Sequence, residues 1–267
     1  MTCIANLAGT IGREECFLGH TVMFCDSTDD ILGREIGEVL WEEQRSYDWL
    51  MAEKKSMGSY LFNAIYQGQP IERDGNIFKR AWFMDETTNT IYNQIKLDQL
   101  PEDIPLMRYW DFAASGKDGD GTSGLLTGWD GENIYFIDLV AGKFSSSETL
   151  RKFKATAKKD GRSTLIKIEQ EPGAGSKLLI NKFRYDKELR RYSIRGDKVN
   201  MAKNVRSFDL EALAEEGRCY FVEAPWNMKV IDQLVAFTGQ DGGEDDIVDT
   251  CTGAAKHWRR PRRKINV

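Results

Sequence analysis

The order of apolar runs after residue 105 constrains the fold of this chain more than any other feature. Three β-rich runs come first, at 107–115, 122–129 and 134–140, and the turn sequence Asp-Gly-Glu-Asn at 130–133 separates the last two. Such short connections require antiparallel neighbours, whereas strands joined through a helix can pair in parallel. An antiparallel meander is therefore predicted at the start of this region.

Helical and β-rich segments alternate through the rest of the chain. Helices are predicted at 146–159, 176–183, 199–216, 228–237 and 244–258, and strands at 164–170, 191–195 and 219–223. This order predicts an α/β fold in which a mixed β-sheet, a three-stranded antiparallel meander extended by parallel strands, is flanked by helices. It is the order found in RNase H-like folds.

The first hundred residues have a different character. Helices are predicted at about 42–57 and 60–66, followed by an extended or looped stretch at 67–82. Nothing in this region resembles a self-sufficient core. We therefore expect three parts: a linker-like segment at 1–100, the α/β domain at 101–258 and a basic tail at 259–267.

Composition narrows the class of protein. No apolar run approaches the roughly 18 residues that a membrane span needs, and the first residues show no signal-peptide pattern. The cysteines form no C-x-x-C pair, which argues against a zinc site and indicates reduced thiols in a cytosolic compartment. The five are Cys3, Cys16, Cys25, Cys219 and Cys251.

Positive charge is concentrated near the C-terminus. The chain has 37 Lys and Arg against 42 Asp and Glu, a net charge of -5, yet residues 256–264 hold six basic residues and no acidic one. The remaining chain therefore carries -11. A basic tail on an acidic body indicates a polyanionic partner, although terminal Lys and Arg can also serve solubility alone.

Two acidic residues lie at the ends of predicted strands. Asp111 stands in an apolar strand with no Lys or Arg beside it on the same face, and Glu169 ends a later strand just before a Gly/Pro turn. If the two strands are parallel neighbours, both carboxylates lie at one edge of the sheet, where ligands bind in such folds. The alternative is an Asp that only caps a strand. Carboxylate ligands without Cys or His favour Mg²⁺ or Mn²⁺ over zinc.

A third acidic group opens the last predicted helix. Asp246 and Asp249 are three residues apart and share a helical face, on which Gly253 and Ala254 are small enough for close approach to the sheet. Acidic residues also stabilise helix N-termini through the helix dipole. That alternative explains Asp245 and Glu244 but not the strand-end carboxylates.

Five ordered segments resemble the nuclease domain of tailed-phage terminase large subunits. They are 108–114 (RYWDFAA), 168–173 (IEQEPG), 196–198 (GDK), 224–227 (APWN) and 245–249 (DDIVD). Upstream, three segments are similar to the linker between the ATPase and nuclease domains of that family. They are 37–41 (GEVLW), 64–70 (AIYQGQP) and 75–79 (GNIFK).

The resemblance implies an RNase H-like endonuclease that cuts concatemeric double-stranded phage DNA during genome packaging. Two Mg²⁺ or Mn²⁺ ions would support phosphodiester hydrolysis. The implied catalytic metal ligands are Asp111, Glu169 and Asp246, with Asp249 as a fourth and Asp245 as the alternative to Asp246. The family often has His before the acidic pair, where this chain has Glu244, whose role stays open.

DNA contacts are expected from Lys198, which matches a family lysine, and from the tail. The tail residues are Arg259, Arg260, Arg262, Arg263 and Lys264. These contacts would be salt-dependent and largely independent of sequence.

The chain departs from full terminases in one respect. No G-x-x-x-x-G-K-[ST] phosphate loop occurs in it, so no ATPase activity is expected from this chain. The implied partners are double-stranded DNA, the ATPase motor, the small terminase subunit and the portal, in the cytoplasm of a bacterial host, with no membrane. Two alternatives remain: another RNase H-like nuclease of the junction-resolvase or recombinase type, and a non-catalytic prophage remnant that only docks on DNA or portal.

Overall fold

The computed structural model describes residues 23–25, 30, 32–69, 75–112, 121–170, 174–240 and 245–259. The chain divides into two compact units, Met1–Asp74 and Gly75–Val267.

The smaller unit contains one long helix, α1 (Tyr47–Tyr66). It begins after Ser46, whose hydroxyl accepts a backbone N–H of the first turn. It is kinked at Gly58, where φ is 81° and a side chain would be strained. The two helices predicted at 42–57 and 60–66 are therefore two halves of one kinked helix.

A small apolar cluster holds this unit together. Leu50 and Phe62 of α1 are buried against Val39. The backbone of Phe24 forms an isolated antiparallel bridge with Val39, and the Gln67 side chain bonds the Phe24 backbone through both its oxygen (2.9 Å) and its nitrogen (3.1 Å). Phe24 is thus bonded both to Val39 and to Gln67, the residue that directly follows α1.

In the larger unit, the strands of the described residues form a two-stranded and a seven-stranded sheet. The strands are β1 (Met84–Asp85), β2 (Thr90–Ile91), β3 (Gln94–Ile95), β4 (Leu106–Asp111), β5 (Thr122–Trp129), β6 (Ile134–Gly142), β7 (Leu165–Gln170), β8 (Ser193–Lys198) and β9 (Cys219–Val222).

The main sheet has the order β3-β9-β6-β5-β4-β7-β8. Strands β4, β5 and β6 form the predicted antiparallel meander. On one side β7 pairs parallel with β4 and β8 with β7, and on the other β9 pairs parallel with β6 and β3 with β9. The predicted fold class is confirmed.

The helices of this unit agree with the predicted ones except in one place. They are α2 (Ser146–Asp160), α3 (Ala174–Tyr185), α4 (Lys203–Arg206), α5 (Phe208–Glu215), α6 (Asn227–Ala236) and α7 (Asp246–Arg259), with short 3₁₀ turns at Arg80–Trp82 and Leu97–Gln99. Among the described residues, no helix is both long and apolar enough to cross a membrane.

The single helix predicted at 199–216 is wrong. The structure has α4 and α5 instead, separated at the buried Ser207. The Ser207 hydroxyl donates to the Asn204 carbonyl at 2.7 Å. A hydroxyl that bonds the local backbone in this way competes with the helical hydrogen-bond ladder, which explains the break.

Helices cover the two faces of the sheet as two layers. Neighbouring residues of β4 point to opposite faces, so Trp110 packs with the α2–α3 layer (helices α2 and α3). Met107 and Tyr109 pack with the α5–α7 layer (helices α5, α6 and α7). The parity of β4 therefore places Asp111 on the α5–α7 side, because it shares a face with Tyr109.

Residues 75–100 belong to the larger unit. Ile77, Phe78 and Phe83 are buried in the core under the α5–α7 layer, and the Ile77 N–H donates to the Phe237 carbonyl at 2.9 Å. The two-residue strands β1, β2 and β3 in this stretch are too short to show a strand periodicity in the sequence. The domain boundaries at 100 and 258 stay predictions.

Candidate functional site

Two carboxylates meet at one edge of the sheet. Strands β4 and β7 are parallel, and Trp110 of β4 is paired with Ile168 of β7. Asp111 and Glu169 are the next residue on each strand, so their side chains leave the sheet at the same level and on the same face. The structure thus brings together the two acids that the sequence places at strand ends.

Helix α7 adds two more acids to this edge. The Asp246 carboxylate accepts a hydrogen bond from the Gly121 N–H, just before β5, at 2.9 Å. Asp249, one turn further along, is buried. Gly253 makes the close approach possible, because a Cβ there would overlap the Tyr109 ring of β4. The small residue expected on this helical face has the role that the sequence suggested.

Two basic residues from α4 lie among these carboxylates. Arg206 is 4% exposed. Its guanidinium donates to Glu169 Oε1 at 2.6 Å and to Asp249 Oδ1. Lys203 contacts Asp245 and lies 3.2 Å from Asp249 Oδ2. The α4 segment therefore supplies the positive charge that links the acids of β7 and α7.

Sequence reasoning missed both basic residues. A Lys and an Arg three positions apart in a helical stretch are typical of a solvent-facing helix surface. The pattern therefore carries no signal of burial, and only the packing of α4 against α7, with its ion pairs to Glu169, Asp245 and Asp249, reveals the role of these residues.

Negative charge is in excess at this edge. Burial raises the pKa of Asp111 well above its ordinary value, and the neighbouring Glu169, Asp249 and Asp246 raise it further, against Arg206. Burial also raises the pKa of Asp249, although Arg206 and Lys203 oppose that rise. Because Asp111 responds to all three other acids, the four carboxylates form one electrostatic group, which we call the carboxylate cluster (Asp111, Glu169, Asp246 and Asp249).

A family model matches residues 108–257, a span that begins within β4, ends in the last turn of α7 and contains the whole carboxylate cluster. Its description is "Terminase RNaseH-like domain". The chain belongs to this family. The suspected resemblance and the RNase H-like fold are therefore both confirmed.

Several solved structures with a similar fold are large terminases of phages. The chain is similar to the large terminase of a thermophilic bacteriophage in two crystal forms. One has a TM-score of 0.57 at 10% identity, covering 86% of this chain and 53% of that one. The other has a TM-score of 0.52 at 10% identity, covering 79% and 52%. The P22 large terminase nuclease domain matches with a TM-score of 0.49 at 14% identity, covering 69% and 93%.

This chain spans about half the length of the thermophilic phage's large terminase structures that it matches. At these identities the likeness concerns the fold. No curated protein is similar enough in sequence to count as a match.

The carboxylate cluster of this terminase-family chain has the donor chemistry of a divalent-cation site. Oxygen ligands from β4, β7 and α7 suit Mg²⁺ or Mn²⁺, and the raised pKa of Asp111 reflects its burial and then the neighbouring carboxylates, which Arg206 only partly offsets. Among the described residues, however, no three His, Cys, Asp or Glu side chains are arranged around one point as a bound ion requires. Arg206 links Glu169 to Asp249 in their place. The four carboxylates fit a divalent cation by their chemistry. In this structure, however, two of them, Glu169 and Asp249, are bound to the Arg206 guanidinium.

Asp245 and Asp246 occupy different surroundings. Asp245 pairs with Lys203, whereas Asp246 bonds Gly121 and acts on the pKa of Asp111. The surroundings therefore favour Asp246 as the member of the pair that faces the strand-end acids. Its role as a metal ligand stays a prediction.

A second buried polar group lies next to the carboxylate cluster and consists of Tyr109, Asp197 and Lys167. The Tyr109 hydroxyl donates to Asp197 at 3.2 Å, and Lys167 lies 3.7 Å from the same carboxylate. Burial raises the pKa of Tyr109 well above its ordinary value, and the charges of Glu169 and Asp197 raise it further. Tyr109 therefore stays protonated beside the cluster and donates its hydroxyl proton to Asp197.

The residues predicted to bind DNA are in different situations. Lys198 is exposed at the end of β8, opposite Gln170 of β7 and so at the same sheet edge as Glu169. Arg259 ends α7, partly buried, and donates to the Asp209 carbonyl at 3.2 Å. The other tail residues lie outside the described part of the chain. They are Arg260, Arg262, Arg263 and Lys264.

Proposed function

We propose that this chain is a metal-dependent DNA endonuclease, the nuclease part of a terminase large subunit. The observation that carries the proposal is the carboxylate cluster, in which Asp111 at the end of β4 lies close to acids of β7 and α7 at one sheet edge, and burial together with these acids raises its pKa well above the ordinary value. A surplus of buried negative charge costs stability, and a protein retains it where cations are bound for chemistry.

Asp111, Glu169, Asp246 and Asp249 would hold two divalent cations, Mg²⁺ or Mn²⁺. When bound, such ions supply an activated water and neutralise the charge that develops on a phosphodiester during in-line hydrolysis. The protein's part is to position and orient the carboxylates, whose ionised form the bound cations would favour. Arg206 and Lys203 fix Glu169, Asp249 and Asp245, and Gly121 orients Asp246 through its N–H.

The substrate in this proposal is concatemeric double-stranded DNA, cut during genome packaging in the cytoplasm of the host bacterium. Lys198 and the tail from Arg259 onward would contact phosphates without reading the bases. Partners would be an ATPase motor, a small terminase subunit and a portal, because the net charge of -5 predicts weak DNA binding by the chain alone.

A nicking assay tests the proposal. Supercoiled plasmid is incubated with the wild-type chain in Mg²⁺, in Mn²⁺ and in EDTA, beside Asp111→Asn and a control, Asp98→Asn, at an exposed position of the same unit. We expect nicking by the wild type and by Asp98→Asn with either metal, no nicking in EDTA, and a loss of at least about 100-fold for Asp111→Asn.

Three outcomes would contradict the proposal. No nicking by the wild type over a wide protein range would favour the non-catalytic docking module. Equal nicking by Asp111→Asn would place the activity at another site. Cleavage confined to four-way junctions would favour a resolvase.

A further inference from the structure

Charge is distributed very unevenly along the chain. Residues 143–206, from the end of β6 through α4, hold 18 Lys and Arg against seven Asp and Glu, a net charge of +11. The remaining residues hold 19 against 35, a net charge of -16. The stretch 207–255, which contains α5, α6 and most of α7, holds two against 11. Apart from α4, whose Lys203 and Arg206 lie among the carboxylates, the basic stretch contains the α2–α3 layer, and the acidic stretch contains the α5–α7 layer.

The acids of the basic stretch are largely neutralised by neighbouring cations. Asp186 lies 2.7 Å from Lys154, and Glu188 lies 2.9 Å from Lys154 and 2.7 Å from Lys158. Asp160 pairs with the buried Arg108 at 2.5 Å. Much of the positive charge on this side is therefore left facing solvent.

Three exposed lysines from this stretch stand around the edge that carries the carboxylate cluster. Lys143 directly follows β6, whose last residue, Gly142, is paired with Thr122 at the start of β5. Lys177 lies in the first turn of α3, the helix that follows β7. Lys198 ends β8. Within the described part of the chain, none of the three has an acidic partner within ion-pair distance.

Lys177 and Lys198 lie on the opposite side of this sheet edge from the carboxylates, and Lys143 stands at the edge itself, directly after β6. Lys198 is paired with Gln170, whereas Asp197, one residue earlier, is paired with Glu169 on the α5–α7 side. Lys198 therefore points to the α2–α3 side, from which α3 presents Lys177. A duplex about 20 Å wide that lies across this edge would contact both sides, since one sheet layer is about 10 Å thick.

We propose that double-stranded DNA approaches the carboxylate cluster from the α2–α3 side, with its phosphates bound by a lysine rim formed by Lys143, Lys177 and Lys198. The acidic α5–α7 layer repels the duplex, so the two layers together set the side on which it lies. This inference takes its substrate from the proposed function but concerns binding, which is measured separately from cutting.

Fluorescence anisotropy with a labelled 30-base-pair duplex tests the rim, in an Asp111→Asn background so that no cutting occurs. Affinity is measured over a range of NaCl at fixed Mg²⁺ for the triple variant Lys143→Gln, Lys177→Gln, Lys198→Gln. We expect binding at least about 10-fold weaker at low salt. The slope of log K against log salt should fall in magnitude by about 2.7, or about 0.9 for each phosphate that the variant no longer neutralises.

The matched control removes the same charge elsewhere on the same unit. It carries Lys79→Gln, Lys96→Gln and Lys229→Gln, at exposed positions outside residues 143–206. We expect its salt slope to stay within about 0.5 of the parent protein. Thermal denaturation should show that both triples are folded, because all six side chains are exposed.

Equal losses in the two triples would overturn the rim, since they would reflect net charge alone, and an unchanged slope in the rim triple would overturn it as well. A wild-type chain that fails to nick plasmid while the rim triple binds DNA weakly would refute the proposed function and leave the rim standing. Normal nicking by the wild type together with unaltered DNA binding by the rim triple would refute the lysine rim and leave the proposed function standing.

Discussion

Two buried arginines of the larger unit stand in contrasting surroundings. Arg108 is 1% exposed and lies in the middle of β4 on the α2–α3 side. It donates to Asp160 at 2.5 Å and 2.8 Å, to Asp138 at 2.6 Å and to the Gly124 carbonyl at 2.9 Å. Lys159 adds a second cation to Asp138 at 2.9 Å. Two carboxylates here face two cations.

Arg206 lies in a different balance. Arg206 and Lys203 form ion pairs with Asp245, Asp249 and Glu169. Asp111 and Asp246 also belong to this group of charges, since Asp246 raises the pKa of Asp111 and Arg206 lowers it. The pKa directions record the contrast. Burial alone would raise the pKa of Asp138, yet Lys159 and Arg108 lower it below its ordinary value. At the sheet edge the pKa of Asp111 and that of Asp249 are both raised.

This difference separates an ion pair that serves stability from one that serves function. Where charges balance, each carboxylate is stabilised in its ionised form, and the group joins α2 to the sheet. Where acids outnumber bases, the ionised state is costly and an added cation relieves the cost. The comparison predicts that the loss of stability on replacing Arg206 depends on divalent metal, whereas the loss on replacing Arg108 does not.

Replacing Arg108 should have the largest effect. Arg108→Met leaves Asp160, whose side chain is 2% exposed, without its cation, so the free energy of unfolding should fall by about 3–5 kcal/mol. Urea denaturation in EDTA and in Mg²⁺ measures it, and we expect the same loss in both. The control Arg80→Met breaks an exposed pair with Asp232 and should cost about 0–1 kcal/mol. If Mg²⁺ restored the free energy of unfolding of Arg108→Met, the distinction between the two arginines would be lost.

Replacing Arg206 should have a smaller effect that depends on metal. Arg206→Gln removes charged hydrogen bonds to Glu169 and Asp249, and we expect a loss of about 1.5–3 kcal/mol in EDTA. Divalent ions should reduce this loss, because they bind the folded carboxylates and supply the missing charge. Thermal melting with and without Mn²⁺ measures it, with Arg206→Lys as the charge-preserving control. An identical loss in EDTA and Mn²⁺ would contradict this prediction.

Neutralising one acid of each group should change stability in opposite directions. Asp138→Asn should lower the free energy of unfolding at pH 7 by about 1 kcal/mol, because a paired carboxylate is lost. Asp111→Asn should raise it in EDTA, because its ionised form is disfavoured in the fold. Urea denaturation at pH 7 checks both signs, and a destabilised Asp111→Asn would contradict the excess of negative charge.

The Asp138 effect should also depend on pH. The folded pKa of this carboxyl lies below the ordinary value of 3.8, so its contribution is complete well above pH 3.8 and is lost as the pH falls through the folded value. The difference between wild type and Asp138→Asn should therefore shrink below about pH 4. Melting curves from pH 7 to pH 2.5 measure it, and a constant difference over that range would be the opposing result.

Much of the fold could be read from the sequence because its signals are local. The strand bounds of β5, 122–129, were predicted as the structure has them, since apolar runs and the turn at 130–133 are short-range features. Strand β8 was predicted at 191–195 but spans Ser193–Lys198. That shift matters because it places Lys198 within the strand end, at the level of Gln170.

The site was predictable in part, for a related reason. Asp111 and Glu169 stand out because an acid in an apolar strand is costly and therefore noticeable. Lys203 and Arg206 do not stand out, since basic residues in a helix are ordinary at a surface. The sequence also gives no signal of the break between α4 and α5 at Ser207, because a serine hydroxyl can bond either solvent or the local backbone.

The sequence by itself determined the order of the strands and helices, the family resemblance and the strand-end acids, because each depends on neighbours along the chain. Only the tertiary structure decided which charges meet. It placed Arg206 between Glu169 and Asp249, Arg108 between Asp138 and Asp160, and the basic and acidic layers on opposite faces of the sheet. The physical reason is that electrostatic balance depends on distances across the fold and on burial, and neither is a property of any local stretch of sequence.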